Sequence, residues 1–587
     1  MRKNMMKIRR VICPCSMHCI LIVSVVIWSS IFFYLSFSLY GLQSKGKDAN
    51  EQQTLAVNYE RALLDLAELK DENEELRKLL KGVAVRRRKK LSEVKQVDYA
   101  TVKKRLKKEE WFHGEMMEAL QPSSFNGFSM KHEVARRELH NSIWELYYYL
   151  NNQLTSIHNS DSLFTNHTRN QLLSLLGQAA AFRNVDVAES WRTNALANIS
   201  TIFQKHFDKM QNPSDCKAVR ILICDLNKQC GFGCQLHHVT YCFIVAYGSN
   251  RTLVLTDDGR TWNYAANGWT AAFRPITKCS FSEIFKPNEH TYAWGIDKYY
   301  GRKRIVKLPI IDSLSHRPPY LPLAIPQSHS DELIKLHSNS PVFFISQFIR
   351  YLMRPSALFA KEINEAVKKV PFDKGPIVGL QIRRTDKIHA EASFHDLNEY
   401  MKWTEDWFRI EEYRTRSSIK RRIYIATDDP EVFDEVTTKY PNYEVYGDPK
   451  ISNMAQVHSR YSIESLVGIV TDIELLSRCV YLVCTFSSQV CRMGYELMQV
   501  RFGDAGDRFH SLDDIYYFGG QQAHEQIVVE SYSAENDNEI DLEVGDVIGV
   551  AGNHWDGFSK GINRRTGKKG LYPSYKTREK HIIIDFP

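Results

Sequence analysis

The sequence predicts an α/β protein built on a doubly wound parallel sheet, with a helical stem before it and a small β-barrel after it. Three observations predict this. Between residues 370 and 500, short apolar β-rich runs alternate with helix-like segments. Ahead of them, residues 55–83 repeat with a heptad period. Beyond them, residues 521–587 break into short strands separated by Gly and Asp turns. A length of 587 residues exceeds what one hydrophobic core supports, so several units are expected. The composition, 43% hydrophobic and 25% charged, excludes wholesale disorder and a disulfide miniprotein. The formal charge of +8 points first to a polyanionic partner. Its distribution removes that reading. Residues 1–110 carry 23 Lys+Arg and 13 Asp+Glu, whereas 111–587 carry 54 and 56. A nucleic-acid-binding body would be basic over its folded part.

The elements follow in chain order. Residues 1–19 read as a cytoplasmic tail and 20–42 as a transmembrane signal anchor. Ile20 to Leu42 is uncharged and long enough to cross a bilayer. Arg2, Lys3, Lys7, Arg9 and Arg10 precede it with no acid among them, which leaves the N-terminus in the cytosol and the body across the membrane. A cleaved signal peptide is the competing reading, but the run is longer than a signal core. Cys13, Cys15 and Cys19 lie at the cytosolic edge, where palmitoylation or plain juxtamembrane thiols both fit. Asn166, Asn198 and Asn250 open N-glycosylation patterns, as a lumenal location permits.

Residues 43–110 read as a coiled-coil stem. Tyr59, Leu66, Asn73 and Leu80 recur every seven residues, and Leu55, Ala62, Leu69, Leu76 and Val83 at the complementary offset. Asn73 at a core position can fix register, so a homodimer through the stem helices is expected; a single amphipathic helix on its own domain is the alternative. The basic runs at 86–90 and 103–108 read as solvated surface.

Residues 111–325 form an N-terminal α/β subdomain. Leu139, Ile143, Leu146 and Leu150 recur at helical steps within a helical region at 133–210. Six cysteines then crowd into 216–279, namely Cys216, Cys224, Cys230, Cys234, Cys242 and Cys279. In an oxidising lumen they read as a disulfide cluster; a zinc site is the rival, although paired CxxC units are lacking. Pro318, Pro319, Pro322 and Pro326 resist regular structure and join this part to the next.

Residues 326–520 carry the doubly wound sheet. Ile377–Ile382, Ile423–Thr427 and Val480–Cys484 read as strands, and 430–440 and 489–500 as helices. Ligands of such sheets sit at the carboxyl ends of the strands. There lie Arg383, Arg384, Thr385, Asp386 and Lys387, then Asp428 and Asp429, then Ser487, Ser488 and Gln489. A tandem arginine can clamp a diphosphate, and a helix opening at Ser488 offers free amides to the same anion. Pairing of both arginines with surface carboxylates is the alternative. No Asp-x-Asp occurs, so no metal is expected and the arginines would neutralise the leaving diphosphate. Nor is there a GxxxxGK[ST] loop or a GxGxxG after a strand. Glu391, near Lys387, could deprotonate a hydroxyl nucleophile.

In residues 521–587, Leu542–Ile548, His554-Trp555-Asp556-Gly557 and Gly570–Tyr575 stand in order. The series resembles an SH3 domain. Val529-Glu530-Ser531-Tyr532 replaces the usual Ala-Leu-Tyr-Asp-Tyr, which puts polyproline binding in doubt.

Longer blocks carry a family resemblance: Gly231–His238, Arg383–Lys387, Thr485–Arg492 and Ser511–Gly520. Over about residues 130–580 the chain resembles the glycoprotein α-1,6-fucosyltransferases, which core-fucosylate N-glycans. The resemblance implies a Golgi type II membrane protein with a Rossmann-like GDP-fucose-binding domain. It implies inverting, metal-independent transfer from GDP-fucose to the 6-hydroxyl of the innermost Asn-linked GlcNAc. Arg383 would hold the diphosphate with Ser488 and Gln489. Asp472 would bind the nucleoside, Tyr264 would line its pocket, and Arg384, Tyr400, Asp428 and Asp429 would complete the donor site. Glu391 would be the base and Lys387 its partner. Lys228, Asp312, Asp513 and His554 would touch the acceptor glycan, the barrel serving as a substrate wall. Disulfides Cys216–Cys279, Cys224–Cys242, Cys230–Cys234 and Cys484–Cys491 would leave Cys479 over. Related enzymes have His where this chain has Gln381. The rivals are a protein O-fucosyltransferase, against which the stem and barrel speak, and a catalytically dead membrane-anchored glycan-binding scaffold, against which the intact 383–391 segment speaks.

Overall fold

The computed structural model describes residues 127–156, 162–183, 188–285, 292–293, 302–308, 310, 317–385, 393–456, 459–519, 524–553 and 555–586. The expected tail, anchor and stem lie outside the described residues, as do Asp312, Asp386, Lys387, Glu391 and His554. Among the described residues no helix is long and apolar enough to cross a membrane.

Three helices come first: α1 (Met130–Ser156), α2 (Ser162–Phe182) and α3 (Ala188–Gln211). The helix expected from Leu139, Ile143, Leu146 and Leu150 is α1, but those residues do not all face the core. Ile143 is buried and Leu150 packs partly against the core, but Leu139 and Leu146 are 58% and 43% exposed. Aromatic residues displace them. Tyr147 and Tyr148 turn inward beside Ile143 and meet Trp403, at centroid distances of 6.1 and 5.7 Å. Of the glycosylation candidates, Asn166 and Asn198 are exposed on α2 and α3, and Asn250 sits in an exposed turn.

The first sheet contains β1 (Ile221–Cys224), β2 (Thr252–Leu255), β3 (Tyr292–Ala293) and β4 (Ile305–Leu308), in the order β2-β1-β4-β3 and parallel throughout. Helix α4 (Phe232–Gly248) crosses from β1 to β2 and is buried over nearly its whole length. The cysteines staple this region as Cys216–Cys279, Cys224–Cys242 and Cys230–Cys234. Pro318, Pro319 and Pro322 fall in irregular chain, and Pro326 closes the short strand β5 (Ala324–Pro326).

Helices α5 (Ser330–Leu336), α6 (Ser340–Leu352) and α7 (Ala357–Lys369) lead into the second sheet. Asn339 caps α6 and Pro341 occupies its first turn, where no amide is needed. The sheet holds β6 (Val378–Ile382), β7 (Arg422–Thr427), β8 (Glu444–Tyr446), β9 (Tyr481–Cys484) and β10 (Phe509–Ser511), all parallel, in the order β10-β9-β6-β7-β8. Its helices are α8 (Leu397–Thr415), α9 (Glu431–Lys439), α10 (Pro449–Met454), α11 (Ile463–Leu476) and α12 (Gln489–Phe502). An Asp396/Glu399 capping box starts α8, and Ser462 caps α11. Strands β6 and β9 are buried at every position, because helices cover both faces. They also lie very close. A Cβ at Gly379 would stand 2.7 Å from the Leu482 side chain.

The C-terminal unit is an antiparallel sheet of β11 (Glu525–Val528), β12 (Val547–Asn553), β13 (Phe558–Asn563), β14 (Lys569–Pro573) and β15 (Thr577–Glu579). Val528, Ile540, Leu542, Ile548 and Tyr572 form its core. Trp555 packs against Tyr148 of α1 and His510 of β10, at 5.6 and 5.3 Å, so the unit is docked on the preceding body. The last strand, β16 (Ile582–Ile584), leaves this sheet and pairs in parallel with β5.

Candidate active site

The strand order defines where the site opens. From β6 the chain proceeds to β7 and β8 on one side; β9 and β10 lie on the other. A crevice therefore forms at the carboxyl ends of β6 and β9. Arg383 follows β6, and Ser487, Ser488 and Gln489 follow β9.

Asp428, just past β7, ties the strand ends together. It is buried and accepts the backbone N–H groups of Arg384 (2.8 Å) and Thr385 (3.2 Å) and the Thr385 hydroxyl. Its carboxylate also lies 3.2 Å from Nε of Arg383. The two arginines then diverge. The Arg384 guanidinium meets Glu435 at 2.7 Å and Asp429 at 3.7 Å, and lies over the Phe394 ring. For Arg384 the carboxylate-pairing alternative describes the structure. Asp429 also accepts the Glu431 N–H and so opens α9.

The turn from β9 into α12 is held from two sides. The Cys484–Cys491 disulfide bridges the strand end to the first helical turn. Asp513 accepts the N–H groups of Phe486 (2.7 Å) and Ser487 (3.1 Å) and the Ser511 hydroxyl (2.8 Å). Asp513, expected at the acceptor, thus spends its carboxylate on this turn. Ser488 stands at the N-cap of α12 with its side chain making no capping bond. Gln489 is engaged by His237 of α4, whose Nδ1 lies 2.7 Å from Oε1.

A cleft of about 380 Å³, open to solvent, lies beside these groups and is lined by Gln381, Arg383, Asp428, Asp472 and Val490 among others. Asp472 of α11 accepts a 2.6 Å hydrogen bond from the Tyr424 hydroxyl of β7. Burial raises its carboxyl to about 7, and that hydrogen bond pulls the other way. The Gln381 side-chain oxygen is buried and finds no hydrogen-bond partner among the described residues. Tyr264 reaches the site from the first subdomain. Burial pushes its hydroxyl up to about 12; the Tyr461 ring lies tilted against it at 5.1 Å, and Arg383 acts on it electrostatically. Tyr400 of α8 is buried, and its hydroxyl is raised first by burial and then by the charge of Asp513.

The cleft brings together Arg383, Asp428 and Asp472, with Ser488 and Gln489 directly before Val490 of its wall and Arg384, Asp429 and Asp513 as buttresses. Lys228 lies in the loop at the carboxyl end of β1, where its carbonyl accepts Gln235 Nε2 at 2.8 Å. Among the described residues the one potential metal grouping is Cys224, His238 and Cys242, and its two sulfurs are bonded to each other. Cys479 is the one unpaired, buried cysteine among them. The Tyr424–Asp472 pair and the His237–Gln489 contact were not read from the sequence. His237 stood within a recognised block, which was the one available signal.

Fold and site define a doubly wound α/β protein with a crevice, lined by Arg383, Asp428 and Asp472, at the switch point of its sheet. The comparisons identify which kind. A family model described as alpha-(1,6)-fucosyltransferase N- and catalytic domains matches residues 9–517, and a variant SH3 domain matches 528–577. An alpha-(1,6)-fucosyltransferase of Caenorhabditis elegans is 44% identical over 567 residues, covering 95% of this chain and 97% of that protein. Its counterpart in Drosophila melanogaster is 42% identical over 472 residues, covering 78% and 75%. Among solved structures, the fucosyltransferase NodZ from Bradyrhizobium is 18% identical, covering 47% of this chain and 92% of that one, with a TM-score of 0.28. The SH3 domain of yeast NBP2 is 26% identical over 10% of this chain and 98% of its own, with a TM-score of 0.10. The chain belongs to the alpha-(1,6)-fucosyltransferase family and is a fucosyltransferase.

Proposed function

We propose that the enzyme moves fucose from GDP-fucose to the 6-hydroxyl of the innermost Asn-linked GlcNAc of N-glycans, with inversion and without a metal. The observation that carries this is the crevice itself. Arg383, Val490 in the first turn of α12 and the buried Asp472 line one opening. A guanine offers two adjacent N–H donors on one edge, and an ionised Asp472 accepts such a pair. The diphosphate then falls to Arg383 and to the donors of Ser488 and Gln489.

The chemistry needs one base. Glu391 takes the proton of the acceptor hydroxyl, the oxygen attacks the anomeric carbon of fucose, and the bond to the β-phosphate oxygen breaks on the opposite side. Inversion follows from that single displacement. Lys387 supports Glu391, and Arg383 offsets the charge on departing GDP. The carboxylates at the strand ends support metal independence: Asp428 and Asp429 are committed to N–H groups and guanidinium rather than gathered around an open position. Lys228, Asp312, Asp513 and His554 are proposed to face the glycan, Asp513 mainly by holding the turn. Residues 20–42 anchor the enzyme in the Golgi membrane with its body lumenal, and residues 43–110 pair two copies; the four disulfides suit an oxidising compartment. The test is mass spectrometry of a truncated biantennary N-glycan with exposed GlcNAc after incubation with GDP-fucose. Gain of one deoxyhexose on the Asn-linked GlcNAc supports the reading. Transfer to a folded protein acceptor instead refutes it.

A further inference from the structure

The segment Gly231–His238 supplies no group to the chemistry above, yet one of its side chains reaches Gln489, next to Val490 of the cleft wall. His237 of α4 is buried, at 5% exposure, and bridges two residues of α12. Its Nε2 lies 2.9 and 3.2 Å from the oxygens of Glu496. A carboxylate only accepts, so Nε2 donates. Its Nδ1 lies 2.7 Å from Oε1 of Gln489, an oxygen that also only accepts, so both ring nitrogens donate and the ring is the imidazolium paired with Glu496. Glu496 is fully buried and is fixed in turn by the Tyr516 hydroxyl at 2.6 Å. The ring is wedged further by Phe518, edge-on at 5.2 Å. The backbone leaves room for this contact because residue 233 is glycine: a Cβ there would stand 2.9 Å from Cβ of Gln489.

The consequence lies in what Gln489 has left to offer. An amide has one acceptor end and one donor end. His237 occupies the acceptor end. The donor end finds no partner among the described residues, in a half-exposed side chain at the first position of α12. We propose that His237 is a positioning residue that turns the Gln489 amide so that only N–H groups face the donor diphosphate. With the amide reversed, a carbonyl oxygen would meet the phosphate oxygens. The inference rests on the donor-site reading above. It adds that a helix of the first subdomain sets donor affinity in the second, through the relay Tyr516–Glu496–His237–Gln489.

The test is GDP titration by calorimetry, with steady-state kinetics, on the wild-type chain and on H237F, H237Q, Q489A and the H237F/Q489A double variant. Loss of one charge-assisted hydrogen bond predicts an affinity about tenfold lower in H237F and in Q489A. The double variant is expected to be no weaker than either single, because the two changes remove one and the same contact. KM for GDP-fucose should rise by a similar factor while kcat changes little. H237Q keeps a donor toward Gln489 and should stay within about threefold of wild type, which carries the test if H237F does not fold. Additive losses, an H237F affinity equal to wild type, or a folded H237Q as weak as Q489A would overturn the proposal. A wild-type chain that binds no GDP would instead overturn the donor-site reading.

Discussion

Replacing Tyr424 by Phe removes one oxygen from a buried pair and little else. The ring still packs between α11 and the sheet, but Asp472 loses the 2.6 Å hydrogen bond that favours its ionised form. Burial already holds that carboxyl at about 7, well above the ordinary carboxylate range. The sign follows directly. Below about pH 7 the unliganded site keeps Asp472 protonated, and a ligand that donates N–H groups must first displace that proton. Affinity for GDP should therefore be level at high pH and fall toward tenfold per pH unit on the acid side. A hydrogen bond to a charged group is worth about 1.5–3 kcal/mol, and one pKa unit corresponds to about 1.4 kcal/mol. The Phe variant should move the midpoint of the GDP-affinity profile up by about one to two units. At pH 7 that lowers affinity roughly five- to fifty-fold; near pH 9.5 the difference should largely close. Calorimetric titration of GDP across pH 5.5–9.5 on both proteins reads this out. A midpoint that stays where it was in the variant would show that another group controls nucleoside binding.

Four further outcomes are expected. Glu391→Gln should abolish fucose transfer while GDP still binds by calorimetry; a fully active variant would remove Glu391 from the chemistry. Activity should persist in EDTA, measured by GDP release, and a strict requirement for added metal would contradict the committed state of Asp428 and Asp429. Phe586→Ala should cost about 2 kcal/mol, because the ring lies within 5.2–6.1 Å of Phe344, Tyr247 and Tyr320 at a half-buried site, and thermal melting should show it. Burial beside the barrel raises Glu145 from an ordinary 4.5 to about 7, so the folded state binds a proton that the unfolded chain releases. Stability from this group is then lost as pH rises from about 4.5 to 7, and Glu145→Gln should melt higher than wild type at pH 8 but not at pH 4.

The strands of the second sheet were legible because burial on both faces leaves short, uninterrupted apolar runs. Ile377–Ile382 and Val480–Cys484 each begin one residue before the observed strand, and 430–440 exceeds its helix by one residue at either end. The spacing on α1 announced the helix but not which of its residues are buried. Its leucine spacing is a local pattern, while Tyr147 and Tyr148 are buried by Trp403 and Trp555, which are remote in sequence. The site divides the same way. Residues past strand ends can be named from topology alone, so Arg383, Asp428 and Ser488 were accessible. How each one is spent depends on partners that no spacing announces. Arg384 turns to Glu435, 51 residues on; Tyr424 to Asp472, 48 on; His237 to Gln489, 252 on. Asp513 shows how a polar residue beside a site can serve a turn.

The departure of β16 from the barrel to β5 changes what kind of appendage the barrel is. A module joined at one end swings on its linker and samples a volume around the attachment. This one enters from β10 and exits into β16, and the exit is sewn into the body by paired backbone at Ile582–Ile584 and plugged by Phe586. Both ends of the loop it forms are therefore anchored, and the contact of Trp555 with α1 makes a third point of attachment. Such a unit cannot pivot as a lid without unzipping the chain terminus. It behaves as a fixed part of the body rather than a hinged one.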